Sequence, residues 1–283
     1  MPIKAVQQIM LGKVLSNEKQ AAQTLDAIKN AGYDGIELCG FMIHKTPAIV
    51  RLLTKAAGMP TGNGGKLDWH KLIKNSELCV TSVHSDLGSI ERDAEGVARD
   101  VLSFGTKYVV ITGMYRFDYS NEGDVVMLAE RLNKAGKALK GVGAELLYHN
   151  HNCELNICGG KTKAYDLLLD KTDPEYVNFE YDSYWFSEGG ADVLEYMKKL
   201  GNRMKMWHIN DRGFRSTGKT ITPIVKSDSM ELGYGNMPLD KLTEQALSAN
   251  VEAVILESHK NHIDGDAIKS LTLSAEYLNG RIK

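Results

Sequence analysis

Eight short apolar runs, each followed by an amphipathic stretch, set the terms on which this chain can fold. The runs are KAVQQIM (4–10), GIELCG (35–40), CVTSVHSD (79–86), YVVITG (108–113), ELLYHNH (145–151), VNFEYD (177–182), MKMWHIN (204–210) and AVILES (253–258). Several are almost continuously apolar, the pattern of parallel strands covered on both faces. The segments 17–31, 90–104, 122–140, 161–170, 191–200, 238–249 and 265–279 carry helix punctuation. The first follows Ser16 as an N-cap and stops at Gly32 as a C-cap. The longer spacer 41–78 contains MPTGNGG (59–65), a break that predicts two helices there. The stretch 211–236 has no clear period, and loops of that length are often functional. Eight β/α units in 283 residues predict one domain over 1–283, an α/β fold of the (β/α)8 TIM-barrel type. A doubly wound open sheet is the alternative, but no G-x-G-x-x-G opens the chain.

Bulk properties narrow the function. A net charge of -2 gives no electrostatic case for nucleic acid or an anionic membrane. No window holds eighteen consecutive apolar residues, and the N-terminal MPIKAVQQIMLGK lacks the long apolar core of a signal peptide. Cys39, Cys79, Cys153 and Cys158 form no C-x-x-C pair, so they read as reduced thiols of a cytoplasmic protein.

Active sites of such barrels sit at the C-terminal ends of the strands, and here those ends are polar. Strand 3 ends in His84 and Asp86, and strand 5 in His149 and His151 with Glu154 beyond. Strand 6 carries Glu180 and Asp182, strand 7 His208 and then Asp211, and strand 8 Glu257 and then His259. Strand alternation places His149 with His151 on one face, and Glu180 with Asp182. Phe179 and Tyr181 would face the helices. With His149, Asp182, His208 and Glu257 pointing inward, four strands converge on one spot. Two imidazoles and two carboxylates suit Mn, Zn, Co or Fe better than Ca or a thiolate cluster. Buried charges are costly unless paired or metal-bound, so the joint pattern carries more than any one residue.

Several segments also resemble one family, the xylose isomerase-like barrels of the sugar phosphate isomerase/epimerase group. GYDGIEL (32–38) looks like that family's second strand, and YHNHNCE (148–154) is similar to a YHNHxFE motif of one branch. FEYDSYWFSEGGAD (179–192) resembles ELDxYWxxxAGxD, WHINDR (207–212) an HxKD segment, and ELGYGNMPLD (231–240) a glycine-rich segment. LES (256–258) matches the last strand's glutamate. The resemblance implies one divalent metal, Mn first among Mn, Zn, Co, Fe and Mg, held by Glu, Asp, His and Glu on strands 5 to 8. Asp182, His208 and Glu257 match the last three. The first falls on His149 by position and on Glu154 by side-chain type. We take His149 as the ligand and Glu154 as a substrate contact, which leaves His151 at the mouth.

The implied reaction is proton transfer beside the carbonyl of a keto- or aldo-sugar, with Glu257, His151 and Glu154 as catalytic candidates. A histidine in place of the strand-5 carboxylate also suits β-elimination, as in inosose dehydratase-like members. Candidate substrate contacts are His84, Glu154, Trp185, Arg212, Arg215 and His259. The expected partner is a small carbohydrate, with a homo-oligomer left open. A non-catalytic binding subunit is the reading from another class, and absence of bound metal would favour it. An apurinic-site endonuclease shares the fold and ranks last, because the near-neutral charge argues against DNA.

Overall fold

The computed structural model describes residues 1–46, 52, 65–215, 218–219 and 221–282. Eight parallel strands close into a barrel: β1 (Ile3–Gln7), β2 (Gly35–Cys39), β3 (Cys79–Ser85), β4 (Tyr108–Thr112), β5 (Glu145–His149), β6 (Val177–Asp182), β7 (Met204–Ile209) and β8 (Ala253–Leu256). Around the barrel the order is β1-β8-β7-β6-β5-β4-β3-β2. The eight predicted runs are therefore the eight strands of a TIM barrel. Among the described residues the α-helices longer than one turn are α1 (Glu18–Ala31), α2 (Trp69–Ser76), α3 (Leu87–Ser103), α4 (Glu122–Gly141), α5 (Ala164–Lys171), α6 (Ser183–Glu188), α7 (Val193–Leu200), α8 (Leu239–Ser248) and α9 (Ala267–Arg281), and Gly40–Ile43 adds a single turn after β2. No described helix is long and apolar enough to cross a membrane.

Some boundaries differ from the sequence reading, each for a local reason. β1 stops at Gln7, where the side chain accepts from the Ile9 N–H and starts a 3-10 helix over Gln8–Val14. The cap of α1 is Asn17 rather than Ser16, and Gly32 takes the left-handed conformation at its end, φ 96°. Asp86 caps α3, so that helix begins before residue 90. The segment from 161 opens with a small hairpin, Ile157–Cys158 against Thr162–Lys163, and α5 starts only at Ala164. α6 has no apolar period and is set by its cap, Asp182, which accepts from the Trp185 N–H. Residues 59–64 of the predicted break at 59–65 lie outside the described residues.

The chain forms two compact units: Met1–Cys79, Ile209–Glu244 and Val254–Lys283 in one, Val80–His208 and Gln245–Ala253 in the other. In the first, β1 and β2 pair in register, with Gln7 level with Glu37 and donating to it at 2.6 Å. α1 packs on α9, and the Tyr33 hydroxyl donates to the Leu271 carbonyl at 2.8 Å. The hairpin Asp211–Gly213 with Asp228–Met230 leads to an ion pair whose carboxylate, Glu231, is buried and whose arginine, Arg215, is half-buried. Glu231 accepts from Arg215 at 2.6 Å, from the Ser270 hydroxyl at 2.6 Å and from the Ile263 N–H at 3.0 Å. In the second unit, the outer faces of β6 and β7 carry aromatics against the helices. Tyr165 of α5 stands edge-on to Phe179 and Phe186, and Phe186 of α6 edge-on to Tyr181. The expectation that Phe179 and Tyr181 face helices therefore holds.

Two tests follow from this packing. A Cβ on Gly136 of α4 would lie 2.1 Å from the Tyr176 carbonyl, whereas one on Gly141 would meet nothing within 4 Å. Gly136→Val should cost about 1–3 kcal/mol, while Gly141→Ala leaves the thermal midpoint unchanged or raises it. Burial alone would raise the Glu231 carboxyl, but the Ser270 hydroxyl, the Arg215 guanidinium and the backbone N–H groups outweigh it and hold it below the usual 4.5. A depressed carboxyl contributes stability that is complete above its unfolded value and is lost as pH falls through its lower folded value. Glu231→Gln should thus destabilise by roughly 1.5–3 kcal/mol at neutral pH. In urea titrations that gap should stay constant down to about pH 5.5 and shrink below the unfolded value. A gap that grows on acidification would contradict it.

Candidate metal centre

The inner ends of β3, β5, β6 and β7 bring five ionisable side chains together within the unit Val80–His208. Register explains the meeting. His149 of β5 is level with Glu180 of β6, so the two side chains share the inner face. Between β6 and β7 the register slips at Phe179/Glu180: Phe179 pairs with Met204 but Glu180 pairs with Met206. That one-residue slip sets His208, not Trp207, opposite Asp182. Trp207 turns outward instead, where its indole N–H donates to the Ser183 hydroxyl at 3.0 Å.

Glu180 sits at the focus. Its Oε1 lies 3.0 Å from His149 Nδ1, 3.0 Å from His208 Nε2 and 3.2 Å from His84 Nε2. The residue is fully buried. Burial alone would push its carboxyl up, but the His208 charge interaction and hydrogen bonds from His149, His208 and His84 hold it well below the usual range. His84 is tied at its other nitrogen, Nδ1, to the Thr112 hydroxyl at 2.9 Å. The sequence reading placed Glu180 on the inner face and gave it no role. The available signal was that a buried carboxylate needs partners.

The metal candidates share this pocket of polarity. His149, Asp182 and His208 each offer a ligand atom, and these lie within 4.8 Å of one another, all three buried. Asp182 uses Oδ1 to cap α6, and its Oδ2 stands 3.9 Å from His208 Nδ1. Asn150 clamps β5 to β6 at this level, accepting from the Asp182 N–H at 3.0 Å and donating to the Asp182 carbonyl at 2.9 Å. In the other unit, Glu257 follows β8 and is buried, and its N–H donates to the carbonyl of Ile209, the residue after His208, at 3.2 Å. His259 Nε2 lies 3.6 Å from Glu257 Oε1. Buried imidazoles beside a carboxylate fit a borderline divalent cation such as Mn, Zn, Co or Fe. Glu180 Oε2, buried with no hydrogen-bond partner, shows that the polar cluster is not closed on itself.

The remaining predicted residues fall differently. β5 ends at His149, so His151 lies just past the strand rather than on it. Its N–H donates to Glu154 Oε2 at 2.9 Å, and its ring stands 5.1 Å from that of His149 and 5.5 Å from that of Trp185. Glu154 is fully buried beneath this turn. It also accepts from the Tyr148 hydroxyl at 2.7 Å and from Cys153 Sγ at 3.2 Å. Trp185 is in the first turn of α6 and half-buried. Arg212 lies on the hairpin, its N–H bonded to Asp211 Oδ1 at 2.8 Å. The Arg215 guanidinium is engaged by Glu231 and by the Asn261 carbonyl at 3.0 Å.

Asp211 was noted by sequence only as the residue after strand 7. It braces the loop that follows by accepting from the N–H groups of Gly233, Gly235 and Met237.

Comparison with known proteins bears on the fold and the family. The inosose dehydratase of Clostridium perfringens is 38% identical over 91 residues, 32% of this chain and 30% of that protein. The chain thus aligns with less than a third of that relative's length. A sugar phosphate isomerase/epimerase structure from Parabacteroides distasonis superposes with a TM-score of 0.76 at 21% identity, covering 100% of this chain and 95% of that one. The structure of an IolI protein with a bound zinc atom superposes with a TM-score of 0.67 at 14% identity, covering 98% and 97%. Both structural likenesses speak to the fold. The family described as the xylose isomerase-like TIM barrel matches residues 25–278. The chain belongs to the xylose isomerase-like TIM-barrel family.

Proposed function

We propose that this chain is a divalent-metal-dependent isomerase or epimerase of a keto- or aldo-sugar, working in the cytoplasm on a small carbohydrate. The observation that carries the reading is the convergence of His149, Asp182 and His208 at the C-terminal ends of three adjacent strands. Glu257 is proposed as the fourth ligand. Its support is the strand order, with β8 next to β7, and its backbone bond to the residue after His208. Mn is the favoured ion, and the zinc in the IolI structure keeps Zn in view. Such an ion supplies Lewis-acid polarisation of a substrate carbonyl.

The chain's own groups supply the rest. A carboxylate such as Glu257 suits removal of the proton beside that carbonyl, and an imidazole at the mouth, His151, suits its return. The Trp185 ring, against His151, offers a flat apolar surface for a sugar face. Arg212 is assigned the far, hydroxylated end of the substrate, with His84 and His259 flanking. Glu154 acts by holding the His151 turn, since its oxygens are already bonded within the protein. Arg215 likewise holds its own loop through Glu231.

A second reading, elimination of water from an inosose or 3-keto sugar, is favoured by the inosose dehydratase relatives. One experiment separates the two. Metal-loaded protein is incubated in D2O with a panel of keto-sugars and inososes and followed by NMR. Deuterium entering beside the carbonyl without loss of water supports the isomerase, and Glu257→Gln should slow it about 100-fold or more. Loss of water favours the lyase. Neither change with Mn, Zn or Co contradicts both. Elemental analysis should find about one equivalent of metal, lost in His149→Ala, Asp182→Ala and His208→Ala alike. Unchanged metal content in all three would refute the site.

A further inference from the structure

We infer that the arm from Phe214 to Asp228 docks onto a second copy of this chain, against the Tyr115–Glu122 segment of that copy. The inference is independent of the metal-centre reading.

The base of the arm is anchored by buried carboxylates. Asp211 accepts from the backbone N–H groups of Arg212, Gly233, Gly235 and Met237 at 2.8–3.1 Å. Glu231 holds Arg215 at 2.6 Å, and the Asn261 carbonyl holds it at 3.0 Å. The hairpin Asp211–Gly213 with Asp228–Met230 closes the stem. The tip is different. Residues 221–226, ITPIVK, are exposed in succession, Ile221 completely and Ile224 at 86%. Phe214 and Val225 are exposed as well. The tip is shaped by its own turn, in which the Ile224 N–H donates to the Thr222 hydroxyl at 2.9 Å. Single aliphatic side chains on a surface need no explanation, but Ile221, Ile224 and Val225 within five residues form a patch. A stem already fixed lowers the ordering cost of burying that patch against a partner.

Chemistry narrows what covers it. Aliphatic side chains cannot hydrogen-bond to the hydroxyls of a carbohydrate, which points to protein rather than substrate. Charge narrows it further. Residues 214–228 carry three cations, Arg215, Lys219 and Lys226, against one carboxylate, Asp228. Arg215 is taken by Glu231, and Asp228 lies 3.2 Å from Lys260. Lys219 and Lys226 are exposed and have no carboxylate partner among the described residues. Residues 114–124 have the opposite balance, with Asp118, Glu122 and Asp124 against Arg116. Tyr115 is 82% exposed there, with the Arg116 guanidinium over its ring at 5.3 Å, and Phe117 stands edge-on to Tyr119 at 4.7 Å. Asp118 and Glu122 are exposed beside these aromatics. An aromatic surface rimmed by carboxylates complements an aliphatic tip rimmed by ammonium groups. Arm against arm would instead set the lysines of one copy against the same lysines of the other. Each copy that gives an arm also receives one, so the assembly closes at two.

The test is sedimentation equilibrium of the full chain at up to about 100 μM, above the micromolar Kd at the weak end for such interfaces. The wild type is expected at twice the chain mass. Ile221→Asp with Ile224→Asp should sediment as a single chain with the wild-type circular-dichroism spectrum, because both side chains are exposed. Lys219→Glu with Lys226→Glu, and separately Asp118→Lys with Glu122→Lys, should each raise the dimer Kd about 10-fold or more. Mixed one to one, these two charge-reversed proteins should associate more tightly than either alone, because every arm then meets a loop of opposite sign. A wild type that stays single at the highest concentration would overturn the inference, as would an intact dimer in the folded Ile221/Ile224 variant. A dimer that keeps its Kd after reversal at Asp118 and Glu122, or a mixture that fails to tighten, would overturn that loop as the seat of the arm.

Discussion

One buried carboxylate organises the inner end of this barrel. Glu180 is fully buried, and its Oε1 lies 3.0–3.2 Å from ring nitrogens of His84, His149 and His208 on β3, β5 and β7. Replacing it would remove a buried carboxylate from among three imidazoles, in a place where an unmet polar group is expensive.

The meeting of these side chains depends on backbone register. The slip between β6 and β7 sets His208 level with Asp182 and sends Trp207 to the helix layer. Without the slip, regular alternation would place Trp207 opposite Asp182 and turn the imidazole away from it. The Asn150 clamp secures the neighbouring seam at the same height. On the outer face, the edge-to-face cluster of Tyr165, Phe179, Tyr181 and Phe186 fixes where β6 lies against α5 and α6. Apolar packing on one side of the strand therefore sets polar geometry on the other.

Much of this was legible in the residues. Near-continuous apolar runs located all eight strands, because parallel strands are buried on both faces and tolerate few polar residues. Alternation named His149, Asp182 and His208, and these three meet. What sequence missed depends on partners across strands. Nothing local to FEYD (179–182) tells that Glu180 would collect three histidines from other strands. The length of β5 was overread by two residues, since His149 and His151 sit at strand-like spacing although the strand stops at the first. Glu154 and Arg215 read as substrate contacts, and only tertiary packing reveals that each is occupied inside the protein. α6 escaped because its residues, SYWFSE, carry no helical period, and its start is fixed by the same Asp182 that serves the cluster.

The central claim is that a single divalent cation is held by His149, Asp182 and His208, with Glu257 completing the set. The most direct measurement is anomalous diffraction from crystals grown with Mn or Zn, recorded on both sides of the metal edge. The account predicts one strong anomalous peak bounded by the imidazoles of His149 and His208 and the Asp182 carboxylate, with the Glu180 carboxylate outside its coordination shell. No peak there, or a peak on Glu180 with the rings turned to meet it, would contradict it.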